Sequence, residues 1–354
     1  MTSKELFRNI MFYGEFDRMP VWHWTGWEEL LNEWAEQGLA RDANHCEYLN
    51  AEPLPPGLGI DIGLRPNFEE KVIEETDRYR IVQQWDGVIA EWSKVGSSIP
   101  KYVDFILKDR KGWEQYKERL QPSPDRIAKD IDAQIERVKA SNKPVQIWCG
   151  SMVGHFRDWM GVENLSYMFY DDPELIREMV EVNSDMICAT MEPVLQKCTP
   201  DMGWFWEDIC FRSGPLVSPK AFKEFMVPGY RKITDLLKSY GCDLAVVDCD
   251  GMVDDLVPLW LDGGVNVMFP IEIGVWNADP MKFRQKYGKE LRVIGGINKL
   301  ELTKGRAAID AEIERRIPLM RDGGFIPLPD HVIVPGTPLD DYKYYLDKIR
   351  ELRF

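Results

Sequence analysis

From Val145 onward the chain repeats one pattern, and that pattern restricts the fold more than anything else in the sequence. Short apolar runs (VQIWC, MGWFWE, DLAVVD, VNVMF, LRVIGG and GFIPL) alternate with stretches of helical spacing. Runs this short and this uniformly apolar are what strands of a parallel sheet buried on both faces require. The intervening helices carry clear start and stop signals. Asp172-Pro173-Glu174 opens one, Ser218-Pro219-Lys220 opens the next and Gly241 follows it, and Asp279-Pro280 opens another before Gly288. Met19 to Trp24 reads as one more strand near the start, followed by a helix from Trp27 to Gly38. The stretch 61–92 differs: EEKVIEETDRYRIVQQWDGVIAEW alternates on both sides of a Thr-Asp turn, the pattern of an antiparallel hairpin inserted beside the main sheet. Seven strands are readable and an eighth can hide near the hairpin. The expected fold is therefore an α/β (β/α)8 TIM-type barrel, a single domain over 1–354, with an open doubly wound sheet as the alternative. No repeat, low-complexity tract or Ser/Gly linker divides the chain.

The charge balance narrows the functions. With 44 Lys+Arg against 59 Asp+Glu, the net charge of −15 argues against a surface that tracks phosphates, so no nucleic acid is expected as a partner. No apolar run approaches the roughly 18 residues of a membrane span. The N-terminus, MTSKELFRNIMF, lacks the basic, apolar and small-residue order of a secretory signal. Seven cysteines, scattered and never in a CxxC pair, fit reduced thiols and a cytoplasmic protein.

In a (β/α)8 barrel, chemistry gathers where strands end and loops begin. Those positions here are His23 and Trp24; Cys149 and Ser151; Glu207 and Asp208; Asp248 and Asp250; Glu272; Asn298 and Lys299; and Asp330 and His331. In VVDCDG the two-residue period of a strand puts Asp248 and Asp250 on one face and Cys249 on the other. Two inward carboxylates suggest a metal or proton-transfer site. Glu207 and Asp208 place another carboxylate pair behind a strand, with Trp204 and Trp206 beside them. His331 lies in a Pro-rich loop directly after a strand, a poor place for a merely packed imidazole. His23 points opposite Trp22 and Trp24, facing either the barrel mouth or a packed layer. His45 and His155 read as ordinary surface or helix residues. No G-x-G-x-x-G after a strand, Walker loop or G-x-S-x-G is present, so nucleotide-binding and serine-hydrolase readings have no support.

These strand ends resemble the uroporphyrinogen decarboxylase superfamily, which also contains corrinoid-dependent methyltransferases. FDRMPVW, FWED followed by SGPLVSPKAFKEFMVPGY, VVDCDG, and VIGGINKLELTKG leading to GGFIPLPDHVIVPGTPLDDYKYYL carry the resemblance over nearly the full length. It implies a distorted (β/α)8 barrel with a cleft at its C-terminal end, and two chemistries. The decarboxylases carry R-Q-A-G-R after the first strand to grip a tetrapyrrole; here that region reads WHWTGWEELL, without an arginine between Arg18 and Arg41. The thiol methyltransferases carry a His-x-Cys-Gly zinc motif where this chain has Asp248 and Asp250, and a late cysteine where it offers His331. The resemblance thus implies a zinc site of oxygen and imidazole ligands, Glu207, Asp248, Asp250 and His331, a stronger Lewis acid than a thiolate site. Its expected task is to move a methyl group from a small O-methyl or N-methyl compound to the cobalt of a separate corrinoid protein. Glu207, Asp248 and His331 would be catalytic, and His23, Trp24, Trp206, Asp208 and Glu272 would bind substrate. Tryptophans at the mouth could stack an aromatic ether or cage a methylammonium. The chain lacks a D-x-H-x-x-G cobalamin signature, so the corrinoid is expected from a partner protein; the hairpin could serve that docking or a homodimer. The alternatives are decarboxylation of a tetrapyrrole or other carboxylate without metal, with Asp208 or Asp248 as proton donor, and a non-catalytic ligand-binding barrel.

Overall fold

The structure is a computed structural model that describes residues 1–95 and 100–354. Strand β1 (Trp22–His23) pairs in parallel with β2 (Glu52–Pro53). Then come β3 (Lys71–Glu75), β4 (Tyr79–Gln83), β5 (Ile89–Ser93) and β6 (Lys101–Asp104), followed by β7 (Gln146–Gly150), β8 (Met202–Trp206) and the short pair β9 (Cys210–Phe211) and β10 (Gly214–Pro215). The last four are β11 (Ala245–Asp248), β12 (Val267–Phe269), β13 (Arg292–Ile297) and β14 (Phe325–Pro329).

The apolar runs form one six-stranded sheet in the order β14-β13-β12-β11-β8-β7, with every pairing parallel. Helices cover it, and its strands are buried almost throughout, which is why their sequences show no polar alternation. Backbone pairing continues past both edges of the sheet: Gly57 bridges to Gln146 of β7 and Gly26 to Ile333 beyond β14, both in parallel.

Where the sequence pointed to a hairpin over 61–92, the structure holds a larger unit, the antiparallel sheet β3-β4-β5-β6 reaching Asp104. The Thr-Asp turn is there, with the Thr76 hydroxyl accepting from the amides of Arg78 and Tyr79. KYVD, the fourth strand, is too short to announce itself by periodicity. Residues 61–70 form no strand. Instead, buried Arg126 ties them down by donating to the carbonyls of Asp61 and Gly63.

Helix α1 (Ser3–Met11) packs against the opposite end of the sheet from the acids discussed below. A capping box between Thr2 and Glu5 starts it, and its buried stripe is Leu6, Phe7, Ile10 and Met11. Phe7 stacks on Trp22 with ring centroids 6.0 Å apart. Lys4 and Arg8 pair with buried Asp201, just ahead of β8, and the Ile10 carbonyl accepts from Gly324, just ahead of β14. Among the described residues no helix is long and apolar enough to cross a membrane. Truncating Phe7 to Ala should cost about 3–5 kcal/mol, the range for emptying a buried aromatic position. A urea titration would show it, and an unchanged midpoint would mean that α1 does not plug this end.

Candidate active site

Strand alternation and register assemble the site. Asp248 lies level with Trp206 on one side and Phe269 on the other, so these three project from one level of the sheet at its C-terminal edge. Phe269 packs against Trp24 and Trp204, both at 4.9 Å between ring centroids. His331 sits 6.1 Å from Trp24 and stacks on Trp27 at 5.6 Å. A continuous aromatic wall results, running from the loop after β1 to β8.

Against it stands a group of acids. Asp250 Oδ2 lies 3.1 Å from Nε2 of His331, while Asp250 Oδ1 is buried without a hydrogen-bond partner. Gly251 makes the turn that follows: its φ is +87°, and a Cβ there would come within 2.4 Å of the Cys210 carbonyl. Asp208 adopts a left-handed backbone (φ +49°), and Arg157 donates to its carbonyl. The Arg157 guanidinium also pairs with Asp158 at 2.9 Å and lies 5.5 Å from the Trp206 ring centre.

Burial, reinforced by the charges of Asp250 and Asp208, pushes the Asp248 carboxyl well above its ordinary value. Burial and Asp250 likewise raise Asp208, against the pull of Arg157. Burial opposes the charged form of His331, yet its hydrogen bond to Asp250 prevails and holds the imidazole above its usual range. The Asp248 carboxyl and the His331–Asp250 pair, both shifted towards holding a proton, therefore share the mouth.

Several expected site residues stand elsewhere. Glu207 is fully buried and faces away from the wall, as alternation dictates once Trp204 and Trp206 face inward. Its Oε2 accepts from the Ser151 hydroxyl and the amides of Val153 and Gly154, and its Oε1 from the Met152 amide and the Tyr230 hydroxyl. With both oxygens committed, it has no lone pair to offer a metal or a substrate. His23 also faces outward: its Nδ1 is 3.0 Å from the Tyr342 hydroxyl, and burial, with His45 nearby, lowers it to about 4. It is a packed neutral imidazole, not a substrate contact. Glu272 is buried in an ion pair with Lys299 (3.0 Å) and accepts from the Gly251 amide, so it braces the loop behind Asp250. The expected zinc set does not form. Among the described residues no group of three or more His, Cys, Asp or Glu side chains is placed to hold a metal ion. Asp208, Asp248, Asp250, His331, Trp24 and Trp206 do come together.

Arg157 and Asp158 were missed, because GHFRDWMG reads as an ordinary amphipathic helix; the signal was its position directly after the β7 strand end. Asp330 is fully buried and accepts from the amides of Ile273, Gly274 and Lys299, which fixes the loop that presents His331.

The uroporphyrinogen decarboxylase (URO-D) family matches residues 115–352, and the chain belongs to that family of enzymes. Among solved structures, a methyltransferase from Methanosarcina mazei is similar over 99% of this chain and 98% of its own, at 17% identity and a TM-score of 0.61, a likeness of fold. A B12-independent methionine synthase from Shewanella sp. W3-18-1, in complex with selenomethionine, matches 81% of this chain and 74% of its own at 10% identity and a TM-score of 0.38, too low to carry an argument. No curated protein matches by sequence.

Two predictions follow from this geometry. Glu207→Ala leaves five donors facing a void and should cost about 3–5 kcal/mol, seen as a large drop in Tm; a Tm near wild type would show that the knot carries no stability. Asp248 binds its proton more tightly in the folded chain than in the unfolded one, so its contribution to stability falls as pH rises from the ordinary carboxylate range toward its raised folded value. Asp248→Asn removes that loss. Its Tm should therefore gain on wild type as pH rises from about 4 to 8, and a constant difference would contradict the raised value.

Proposed function

We propose that this chain is the substrate-side methyltransferase of a corrinoid system, moving a methyl group from a small O-methyl or N-methyl compound to the cobalt of a separate corrinoid protein. The observation that carries the reading is the placement of Asp248 at a strand end level with Trp206 and Phe269 of the aromatic wall, where burial and the charges of Asp250 and Asp208 push its carboxyl upward. Family membership and the full-length likeness in fold to a methyltransferase support it. In this reading the β1–β2 pair and the bridges at Gly57 and Gly26 complete an eight-stranded barrel with the acids at its C-terminal mouth.

A methyl ether fits these residues best. As the methyl carbon is attacked, its bond to oxygen breaks and the electron pair goes to that oxygen, a poor leaving group unless it is protonated. Asp248 gives that proton, and the His331–Asp250 pair returns one to it. Trp24 and Trp206 stack the aromatic part of such an ether and keep water from the acids. No step runs through zinc, because Glu207, Asp248, Asp250 and His331 do not converge. Tetrapyrrole decarboxylation would need cations to grip carboxylates, and Arg157 is already engaged by Asp158 and the Asp208 carbonyl. The free thiols of the described cysteines suit the reducing cytoplasm in which such a reaction would run.

The test is an anaerobic assay of methylcobalamin formation from cob(I)alamin and methoxyaromatic compounds. Wild type should turn over at least one of them, and Asp248→Asn, which keeps the shape and loses the acid, should be slower by about 10²–10⁴-fold. Activity should fall as pH rises through the raised Asp248 value. Full activity in the variant would remove Asp248 from the mechanism. Turnover of a porphyrinogen instead would move the enzyme to the decarboxylase chemistry, and binding without any reaction would make it a ligand-binding barrel.

A further inference from the structure

Backbone pairing joins the loop after β1 to the loop beyond β14. Gly26 bridges in parallel to Ile333, the Trp27 amide donates to the Ile333 carbonyl at 3.0 Å, and the Ile333 amide donates to the Thr25 carbonyl at 3.0 Å. This register brings the Trp27 indole onto His331, with ring centroids 5.6 Å apart and planes inclined by 23°. Neither capping nor core packing accounts for a tryptophan here. Trp27 is the N-cap of the helix Glu28–Glu36, where Ser, Thr, Asn or Asp would accept from a first-turn amide, and its side chain makes no such bond. It is also 48% exposed, whereas Trp22 and Trp34 on either side of it in the sequence are buried. The contact that it does make is one ring face on an imidazole.

The imidazole is held at one edge by Asp250, whose Oδ2 lies 3.1 Å from Nε2. Trp24 approaches at a steep tilt, 58° and 6.1 Å, so it limits the ring without lying flat on it. Lys299 and Glu272 bear on His331 with opposite sign, and they are paired with each other. One hydrogen bond leaves a ring free to swing about that bond, and a stacked face takes the freedom away. We propose that Trp27 is a positioning residue for His331: its indole face holds the imidazole in the orientation that turns Nε2 to Asp250. The inference rests on the reading in which the His331–Asp250 pair returns a proton to Asp248. Indole is the aromatic ring best suited to the task, because its π face attracts a cation whenever the imidazole carries its second proton. The same half-exposed ring also stands between the pair and bulk water.

Nuclear magnetic resonance of the full chain, isotope-labelled at its histidines, tests this without any methyl donor, so a failure of the methyl-transfer reading is seen separately. The Nε2–H proton of His331, assigned by its loss in His331→Gln, should give a low-field, slowly exchanging signal, and Asp250→Asn should remove it. Trp27→Leu keeps an apolar cover and loses the ring face. It should speed exchange of that proton with water by about threefold or more, the factor that a cation–π contact at a partly exposed site supplies. Trp27→Phe, which restores a ring face, should recover most of the protection. The inference is overturned if wild type shows no such signal, if exchange in Trp27→Leu is as slow as in wild type, or if Trp27→Phe exchanges as fast as Trp27→Leu.

Discussion

The site hangs on the buried carboxylate of Glu207. It gathers three successive backbone amides and a hydroxyl from the turn after β7, and a second hydroxyl from Tyr230 on the helix Val227–Ser239. One side chain thereby joins two neighbouring strand ends to the layer outside the sheet. Burial raises its pKa, and the hydrogen bonds from Met152, Tyr230, Gly154 and Ser151 work against that rise. Gly154 shows how closely the parts approach: a Cβ there would lie 2.5 Å from the Glu207 carbonyl. From this fixed turn the chain sends out Arg157 and Asp158, and from the other side of the knot it sends out Asp208.

A second buried set repeats the device on the far side of the mouth. Lys299 lies between Glu272 and Asp330, and the two carboxylates together hold the amides of Gly251, Ile273, Gly274 and Lys299. Asp250 and His331 adjoin these anchors in sequence, so their 3.1 Å contact is set by backbone positions fixed on both sides. The division of labour is physical. Carboxylates that face outward are held by several donors and serve as structure, whereas Asp250, facing the aromatic wall, keeps Oδ1 without a partner.

Much of this was legible in the sequence because burial on both faces writes itself plainly. The six apolar runs became six parallel strands, and the alternation in VVDCDG put Asp248 and Asp250 where expected. The same rule, carried one residue past MGWFW, assigns Glu207 outward and Asp208 inward; treating the two as a pair lost that distinction. His23 had two readings, and only packing against Tyr342, which is distant in sequence, decides between them. The zinc set does not converge for a related reason: spacing on one strand says nothing about whether side chains on three different strand ends come together. Four strands in place of a hairpin, and the place of Arg157 beneath Trp206, depend on contacts between segments that no local pattern encodes.

The proposed chemistry rests on one proton, that of Asp248. Infrared difference spectra of wild type against Asp248→Asn, taken across pH, observe it directly through the C=O stretch of a protonated carboxyl. A band lost in the variant and still present in wild type near neutral pH is the predicted result. A wild-type carboxyl that titrates in the ordinary range of about 4, with no such band above it, would contradict the claim that this mouth holds a neutral acid ready to protonate a leaving group.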